Sequence, residues 1–350
     1  MRALVDPWCC GLGMSILVTG GAGYIGSHVV LALVDRAEDV VVLDDLSTGF
    51  ADSLHPAARL VVGDVSDAAL VARLVAEYGI TEIIHFAAKI VVPDSVSDPL
   101  GYYLGNTAKT RSLFAAAVAA GVKRIIFSST AAVYGDPGAG VISEDHPAAP
   151  INPYGRSKLM SEWMLADTAR AHGLQYTVLR YFNVAGADPE GRAGQSSRQA
   201  THLIKVASQV ATGERAGLEI FGTDYATPDG TCIRDYIHVS DLARAHVAAL
   251  NALRAGGQNL TLNCGYGRGY SVRDVVEVVK QVSGVDFPVK ISPRRSGDPA
   301  TLVAGAQRIR DELGWEPLLD DLPTIVRHAL AWERRLGRGK AQQSPQVATV

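Results

Sequence analysis

Short runs of aliphatic and β-branched residues alternate along this chain with longer segments whose apolar positions recur at helical spacing. Ile16–Thr19, Val40–Leu43, Leu60–Val62, Glu82–Phe86, Lys123–Ser128 and Tyr176–Arg180 read as strands. Tyr24–Arg36, Asp67–Tyr78, a segment through Leu113–Ala120 and the stretch from Tyr154 to about Ala171 read as the helices between them. This is the beat of a parallel sheet with crossover helices, and it predicts an α/β fold with one doubly wound parallel sheet over residues 14–183. Beyond it the chain is richer in glycine and polar turns. Gly186–Gly194 reads as a loop, a helix follows near Ala200–Thr212, and residues 184–336 are expected to form a smaller mixed α/β unit. The helical stretch Val239–Arg254 is expected to pack back on the first unit. Residues 1–13 read as a disordered extension, and the polar segment 337–350 as a loose tail.

Composition removes several classes of function. The chain has 350 residues, and 33 Lys+Arg against 36 Asp+Glu leave a net charge of −3, so no basic field favours nucleic acid or an anionic membrane. Function must therefore come from a local site. Cys9, Cys10, Cys232 and Cys264 make no disulfide framework, and no C-x-x-C or H-x-x-x-H spacing suggests a metal cage. Reduced thiols and no metal are expected. Asp6 and Pro7 interrupt the first residues, so the apolar core of a signal peptide is lacking. No stretch reaches the ~18 apolar residues of a membrane span, and a cytoplasmic protein is expected.

The turn Gly20-Gly21-Ala22-Gly23-Tyr24-Ile25-Gly26 follows a predicted strand and opens a predicted helix. Glycines there let the backbone turn tightly and approach a pyrophosphate, which then sits on the positive end of the helix. The second strand ends at Asp44-Asp45, about 20 residues on, where an acid accepts a hydrogen bond from a ribose 2′-OH and repels a 2′-phosphate. The pattern favours NAD over NADP; the blander reading is a tight turn beside a solvated acidic pair. Asp64-Val65 follows the third strand, where an aspartate is more often a helix cap, here for Ser66–Tyr78.

Tyr154 and Lys158 stand four apart at the start of a helix and so share one face. A phenol of pKa ~10 is a poor base at neutral pH, but a nearby ammonium and a positive nicotinamide ring would lower that value. Tyr154 becomes a candidate general base. Thr130, just past the fifth predicted strand, would supply a hydroxyl to the substrate oxygen and relay its proton.

With these motifs in place, the sequence resembles the extended short-chain dehydrogenase/reductases and, within them, the UDP-glucose 4-epimerases, from about Ile16 to Arg335. The stretches that carry the resemblance are VTGGAGYIGSH (18–28), FSSTAAVYGD (127–136), NPYGRSKLMSE (152–162), RYFNVAGADP (180–189), IFGTDYATPDGTCIRDYIHVSDLA (220–243) and SPRRSGDPA (292–300). The fifth is the most diagnostic. The resemblance implies a Rossmann-type sheet binding NAD, a UDP-sugar substrate and a homodimer built on helices of the first unit. The activity implied is reversible 4-epimerisation of UDP-glucose and UDP-galactose through a transient 4-keto sugar, with a place in galactose metabolism. It also implies that Gly20, Gly23, Tyr24, Ile25, Gly26, Asp44, Asp45, Asp64, Val65, Phe86, Ala87, Ala88, Asn106 and Phe182 border NAD, with Lys158 on the nicotinamide ribose. Thr130, Tyr154 and Lys158 would be catalytic. Thr130, Tyr154, Asn183, His202, Leu203, Phe221, Arg234, Arg295, Asp298 and Leu302 would meet the UDP-sugar. A diphosphate calls for guanidinium forks, which suits Arg234 and Arg295, although an Arg beside an acid such as Asp235 is more often a surface ion pair.

Some positions depart from the family pattern. His202 stands where Asn is common, Ile90 where a cofactor-contacting Lys is common with Lys89 one place away, and Gly105 replaces the first of two asparagines. Leu302 aligns with a gatekeeper that is a bulky Tyr in forms restricted to glucose and galactose, so UDP-GlcNAc is an alternative substrate. UDP-xylose and UDP-glucuronate are further candidate substrates of the same chemistry. A catalytically silent NAD-binding protein is the rival from a different class. Dehydration is disfavoured, because Thr130 is followed by Ala131-Ala132, which transfer no protons.

Overall fold

A computed structural model describes residues 15–138, 140–197, 201–295 and 298–343, with side chains to Arg338. The extension 1–13, with Cys9 and Cys10, and residues 344–350 lie outside the described residues. Seven parallel strands form the main sheet, in the spatial order Leu260–Cys264, Gln175–Tyr181, Arg124–Thr130, Glu82–His85, Ile16–Thr19, Val40–Asp44 and Arg59–Val62. Successive side chains of a strand point to opposite faces. Ile16, Val18, Val40, Val42, Ile84 and Ile126 accordingly enter one core cluster, with residues of helices Tyr24–Val34 and Val239–Arg254. Leu17, Val41, Leu43, Ile83, Ile125 and Phe127 enter the other, with helices Ala68–Tyr78 and Lys109–Ala119 and the central part of Pro153–His172. Burial on both faces explains why the strands read as unbroken apolar runs rather than as alternation.

The elements depart from the sequence reading in several places. The last strand of the main sheet, Leu260–Cys264, comes from beyond the helix Val239–Arg254, so a division at residue 183 leaves an edge strand on the wrong side. A short apolar run does not state which sheet it joins. Asp67, not Asp64, caps the helix Ala68–Tyr78, accepting from Leu70 N at 3.0 Å. The helix predicted through Leu113–Ala120 begins at Lys109 and is preceded by a π-helical turn, Tyr103–Ala108, whose wider ring turns Asn106 inward. The terminal helix Leu322–Gln343 continues into the segment read as a loose tail.

The second unit holds strands Gly269–Ser271, Ile233–His238 and Thr301–Ala304, joined by Val141–Ile142 from the first half of the chain, with Asn183–Ala185 beside Ile233–His238. A separate pair, Leu218–Phe221 and Val289–Ser292, lies apart. Register places Arg234 opposite Leu302 and Tyr236 opposite Asn183. The first core cluster runs on into the helices Leu203–Ala211, Val272–Ser283 and Leu322–Gln343, so both units share apolar packing.

At the foot of the sheet the side chain of Glu82 is 1% exposed. Arg254 meets it at 2.7 Å and Glu38 at 2.5 Å, and Arg124 reaches it at 3.2 Å. Replacing Arg254 with Met would leave Glu38 and Glu82 facing each other with only Arg124 in reach. We expect a loss of about 2 kcal/mol in urea unfolding at neutral pH; an unchanged midpoint would mean that this network carries no stability.

Candidate active site

The glycine turn lies where the first and fourth strands end, the point of reversal in strand order at which doubly wound sheets bind ligands. Gly20 sits at φ +69°, and a Cβ there would lie 2.5 Å from Ala87 N. At Gly26 a Cβ would lie 2.3 Å from Gly20 O. The turn is therefore a cradle that side chains would fill, and it fits a pyrophosphate. Gly23 precedes the helix Tyr24–Val34 without a side-chain cap, which leaves N–H donors at its positive end for an anion. Tyr24 donates to Gly186 O at 2.7 Å, tying this turn to the second unit. Ile25 packs partly buried against the core behind it.

Asp44 is buried at the end of its strand and accepts from Ala22 N and Leu46 N, both at 2.9 Å. Burial raises its pKa against these hydrogen bonds. Asp45 is exposed and holds Ser47. Asp64 accepts from Ser66 and from Lys109; burial raises its pKa, but these donors outweigh it and the net shift is downward. Val65 is buried beside it, and Phe86, Ala87 and Ala88 lie partly exposed along the end of the fourth strand. Asn106 comes from the π-helical turn Tyr103–Ala108. It is buried, accepts from Lys89 N at 2.8 Å, and donates to Lys89 O at 2.9 Å and to Ser157 Oγ at 3.1 Å. It thus fixes the Lys89 backbone, while the Lys89 ammonium turns to Asp98 at 3.5 Å.

Thr130, Tyr154 and Lys158 come together at the neighbouring strand end. Ser128, Ser129 and Thr130 belong to the fifth strand rather than to a segment past it, because its pairing continues to Thr130 opposite Tyr181. Asn152 caps the Pro153–His172 helix, accepting from Gly155 N at 2.8 Å, with proline in its first turn, and so aims Tyr154 and Lys158 from one face. Thr130 stands by the Tyr154 phenol and acts to lower its pKa. The expected lowering of the Tyr154 pKa is reversed in the protein alone. Burial pushes it up to about 12, and Tyr102 adds to this against the Thr130 hydroxyl. The ammonium of Lys158 donates to Ser128 O at 2.8 Å and lies over the Phe127 ring, 5.0 Å away. Burial lowers its pKa to about 8, against the charge of Glu162.

On the substrate side, Arg234 is paired with Asp298 at 3.9 Å, not with its sequence neighbour. Asp235 is fully buried and accepts from Tyr266 N, Gly267 N and Ala304 N, since adjacent strand residues face opposite ways. Arg295 stacks on Phe221, its guanidinium carbon 3.7 Å from the ring centre. Asn183, His202 and Leu203 line one cavity with Gln195, and His202 meets Gln195 Nε2 at 2.8 Å. Leu302 and Phe182 pack partly buried against Ala131, Tyr134 and Leu159, next to Thr130. His85, bridging Thr19 and Thr110, and His238, whose ring contacts that of His328, are accounted for by those contacts.

Sequence reasoning missed a buried network beneath Lys158. Arg180 forks onto Glu162 at 3.1 and 2.6 Å, and Ser129 donates to Glu162 at 2.5 Å. Arg180 also donates to Tyr134 OH at 2.9 Å, and Tyr134 OH donates to Asn263 Oδ1 at 2.7 Å. A signal was present: Glu162 is the next i+4 step after Tyr154 and Lys158 on one helix face.

The profile of the NAD dependent epimerase/dehydratase family matches residues 16–265. The chain is 57% identical over 327 residues to a UDP-glucose 4-epimerase of Azospirillum brasilense, covering 93% of this chain and 94% of that one. The crystal structure of UDP-glucose 4-epimerase from Brucella ovis in complex with NAD superposes with TM-score 0.88 at 45% identity, over 91% of this chain and 98% of that one. The UDP-Glc/GlcNAc 4-epimerase from Campylobacter jejuni gives TM-score 0.81 at 47% identity, over 92% and 100%.

The cradle can be tested directly. Gly20→Ala combines a positive φ with a backbone collision, and we expect NAD affinity in calorimetric titration to fall at least about tenfold while the circular dichroism spectrum stays native. Unchanged affinity would show that the turn does not approach the cofactor.

Proposed function

The chain belongs to the NAD dependent epimerase/dehydratase family, and we propose that it interconverts UDP-glucose and UDP-galactose by inverting C4 of the sugar through a transient 4-keto form. The observation that carries this reading is the placing of Tyr154 and Lys158 on one helix face beside Thr130, at a strand end close to the glycine cradle. When bound, oxidised NAD supplies the acceptor that takes the C4 hydride and gives it back, and a positive charge that lowers the Tyr154 pKa.

The chain's own groups supply the rest. Tyr154 takes the 4-OH proton, and Thr130 shares the hydrogen bond that leads it away. Lys158, held by Ser128 O, keeps an ammonium beside the phenolate that forms. Arg234 and Arg295 neutralise the diphosphate, and Asp298 steadies Arg234. Phe182 and Leu302, partly buried against the cluster that includes Ala131, would offer the sugar an apolar wall with few directional contacts, which suits a 4-keto intermediate that must present its other face.

The assay is incubation with UDP-galactose, reading UDP-glucose through a coupled dehydrogenase, with and without added NAD. Turnover without added NAD is expected, because the hydride returns to the sugar it left. UDP-N-acetylglucosamine run in parallel reads whether Leu302 leaves room for a 2-acetamido group. Tyr154→Phe is expected to lower kcat by about 10² to 10⁴ while UDP affinity in calorimetry is kept; near-normal turnover would remove Tyr154 from the chemistry.

The same reading includes a cytoplasmic homodimer. Among the described residues no helix is long and apolar enough to cross a membrane, and Cys232 and Cys264 are free thiols, which suits a reducing compartment. Leu100, Leu104, Met160 and Trp163 are exposed on segments that pack together in the first unit, with Trp163 at 59%. Trp163→Glu with Leu104→Glu is expected to halve the mass measured by light scattering; an unchanged mass would place any dimer contact elsewhere.

A further inference from the structure

Glu162 and Arg180 are buried charges that the chemistry above does not use. Their side chains are 6% and 9% exposed, a costly setting that requires full pairing. The pairing is directional. Glu162 follows Tyr154 and Lys158 along one helix face, and its carboxylate takes both arms of Arg180 and the hydroxyl of Ser129. Ser129 and Arg180 are register partners on adjacent strands, one residue before Thr130 and Tyr181. One carboxylate therefore ties the helix that carries the base to the strand end that carries Thr130, and Arg180 extends the tie to Tyr134 in the turn after Thr130.

We propose that Glu162 is a positioning residue of the epimerisation: locked by Arg180 and Ser129, it holds Lys158 and the Thr130 strand end in one frame and supplies the negative charge beneath the ammonium. The inference rests on the epimerase reading. The charged and titratable groups around Lys158 and Tyr154 are few. Glu162 is on their own helix; Arg180 and Tyr181 come from Gln175–Tyr181, His85 from the fourth strand, Tyr134 from the turn, and Tyr102 stands against Tyr154. Burial holds the imidazole of His85 neutral, its pKa lowered to about 3. That leaves Glu162 as the acid that favours the Lys158 ammonium. Burial lowers the pKa of this ammonium to about 8 against the charge of Glu162, so activity that needs it declines on the alkaline side. With the Glu162 charge removed and Arg180 left, the decline moves to lower pH.

The test compares wild type, Glu162→Gln, Ser129→Ala and the double variant Glu162→Gln with Arg180→Met. We expect Glu162→Gln to lower kcat about tenfold or more at pH 8 with KM within twofold, and to move the alkaline limb of kcat acidward by about one pH unit. Ser129→Ala keeps the charge and should lower kcat without moving the limb. The double variant removes both charges and should return the limb toward its wild-type position. Carbon-13 lysine NMR, with Lys158 assigned from Lys158→Met, reads the same titration without turnover. Absence of wild-type epimerisation would sink the epimerase reading and leave this titration to decide the role of Glu162. A Glu162→Gln protein that only melts earlier, with Lys158 titrating as in wild type, would make the network a structural brace and overturn the proposal. If Glu162→Gln does not fold, the double variant and Ser129→Ala decide: a limb moved acidward in either one overturns it.

Discussion

Both faces of the seven-stranded sheet are covered by helices, so the chemistry of the molecule is confined to the carboxyl ends of its strands. One wall of the site is a consequence of that geometry. Gly20, Asp44, Phe86, Thr130 and Phe182 are each the last residue of a strand or the residue after it, and they are brought within reach because parallel strands end together. The glycine turn succeeds at one of these ends because the backbone of Gly20 lies against that of Ala87, an approach that any side chain would prevent.

Among the described residues, three sets of opposite charges are closed off in the interior. Glu82 is enclosed by Arg254 and Arg124, Glu162 by Arg180 and Ser129, and Lys205 is paired with Glu333 of the terminal helix. Each set joins elements far apart in sequence, so each resists a different relative motion: helix against sheet foot, helix against strand end, and terminal helix against the start of Leu203–Ala211. Removing one partner from such a set costs more than the set contributes, because the remaining charge stays in a poorly solvated place. Tyr154 differs from these groups. Burial raises its pKa to about 12 and keeps it a phenol in the protein alone.

The sheet was legible because unbroken apolar runs and helical periodicity are local signals, and the strand ends followed from them. Tyr154 and Lys158 could be singled out because a spacing of four on a helix is geometry written in sequence, and Thr130 because it stands just past the fifth predicted strand. What could not be read depended on pairing across the fold. Nothing local says that Leu260–Cys264 joins Gln175–Tyr181, that Arg234 meets Asp298 rather than Asp235, or that Asn106 points inward from a π-helical turn. The pKa of Tyr154 went unread for the same reason, since burial is a tertiary property and outweighs the hydroxyl beside it.

The late arrival of Leu260–Cys264 has a consequence for how the protein is made. During synthesis Gln175–Tyr181 emerges well before its neighbour, and until then the nascent sheet ends in an open edge whose N–H and C=O groups await a strand. The same connection keeps the gene from being cut between the two units: a fragment ending near residue 183 would carry that open edge permanently, and a fragment beginning there would carry an apolar strand with no sheet to join. A cut at residue 183 therefore has no clean joint, because the main sheet takes strands from both sides of it.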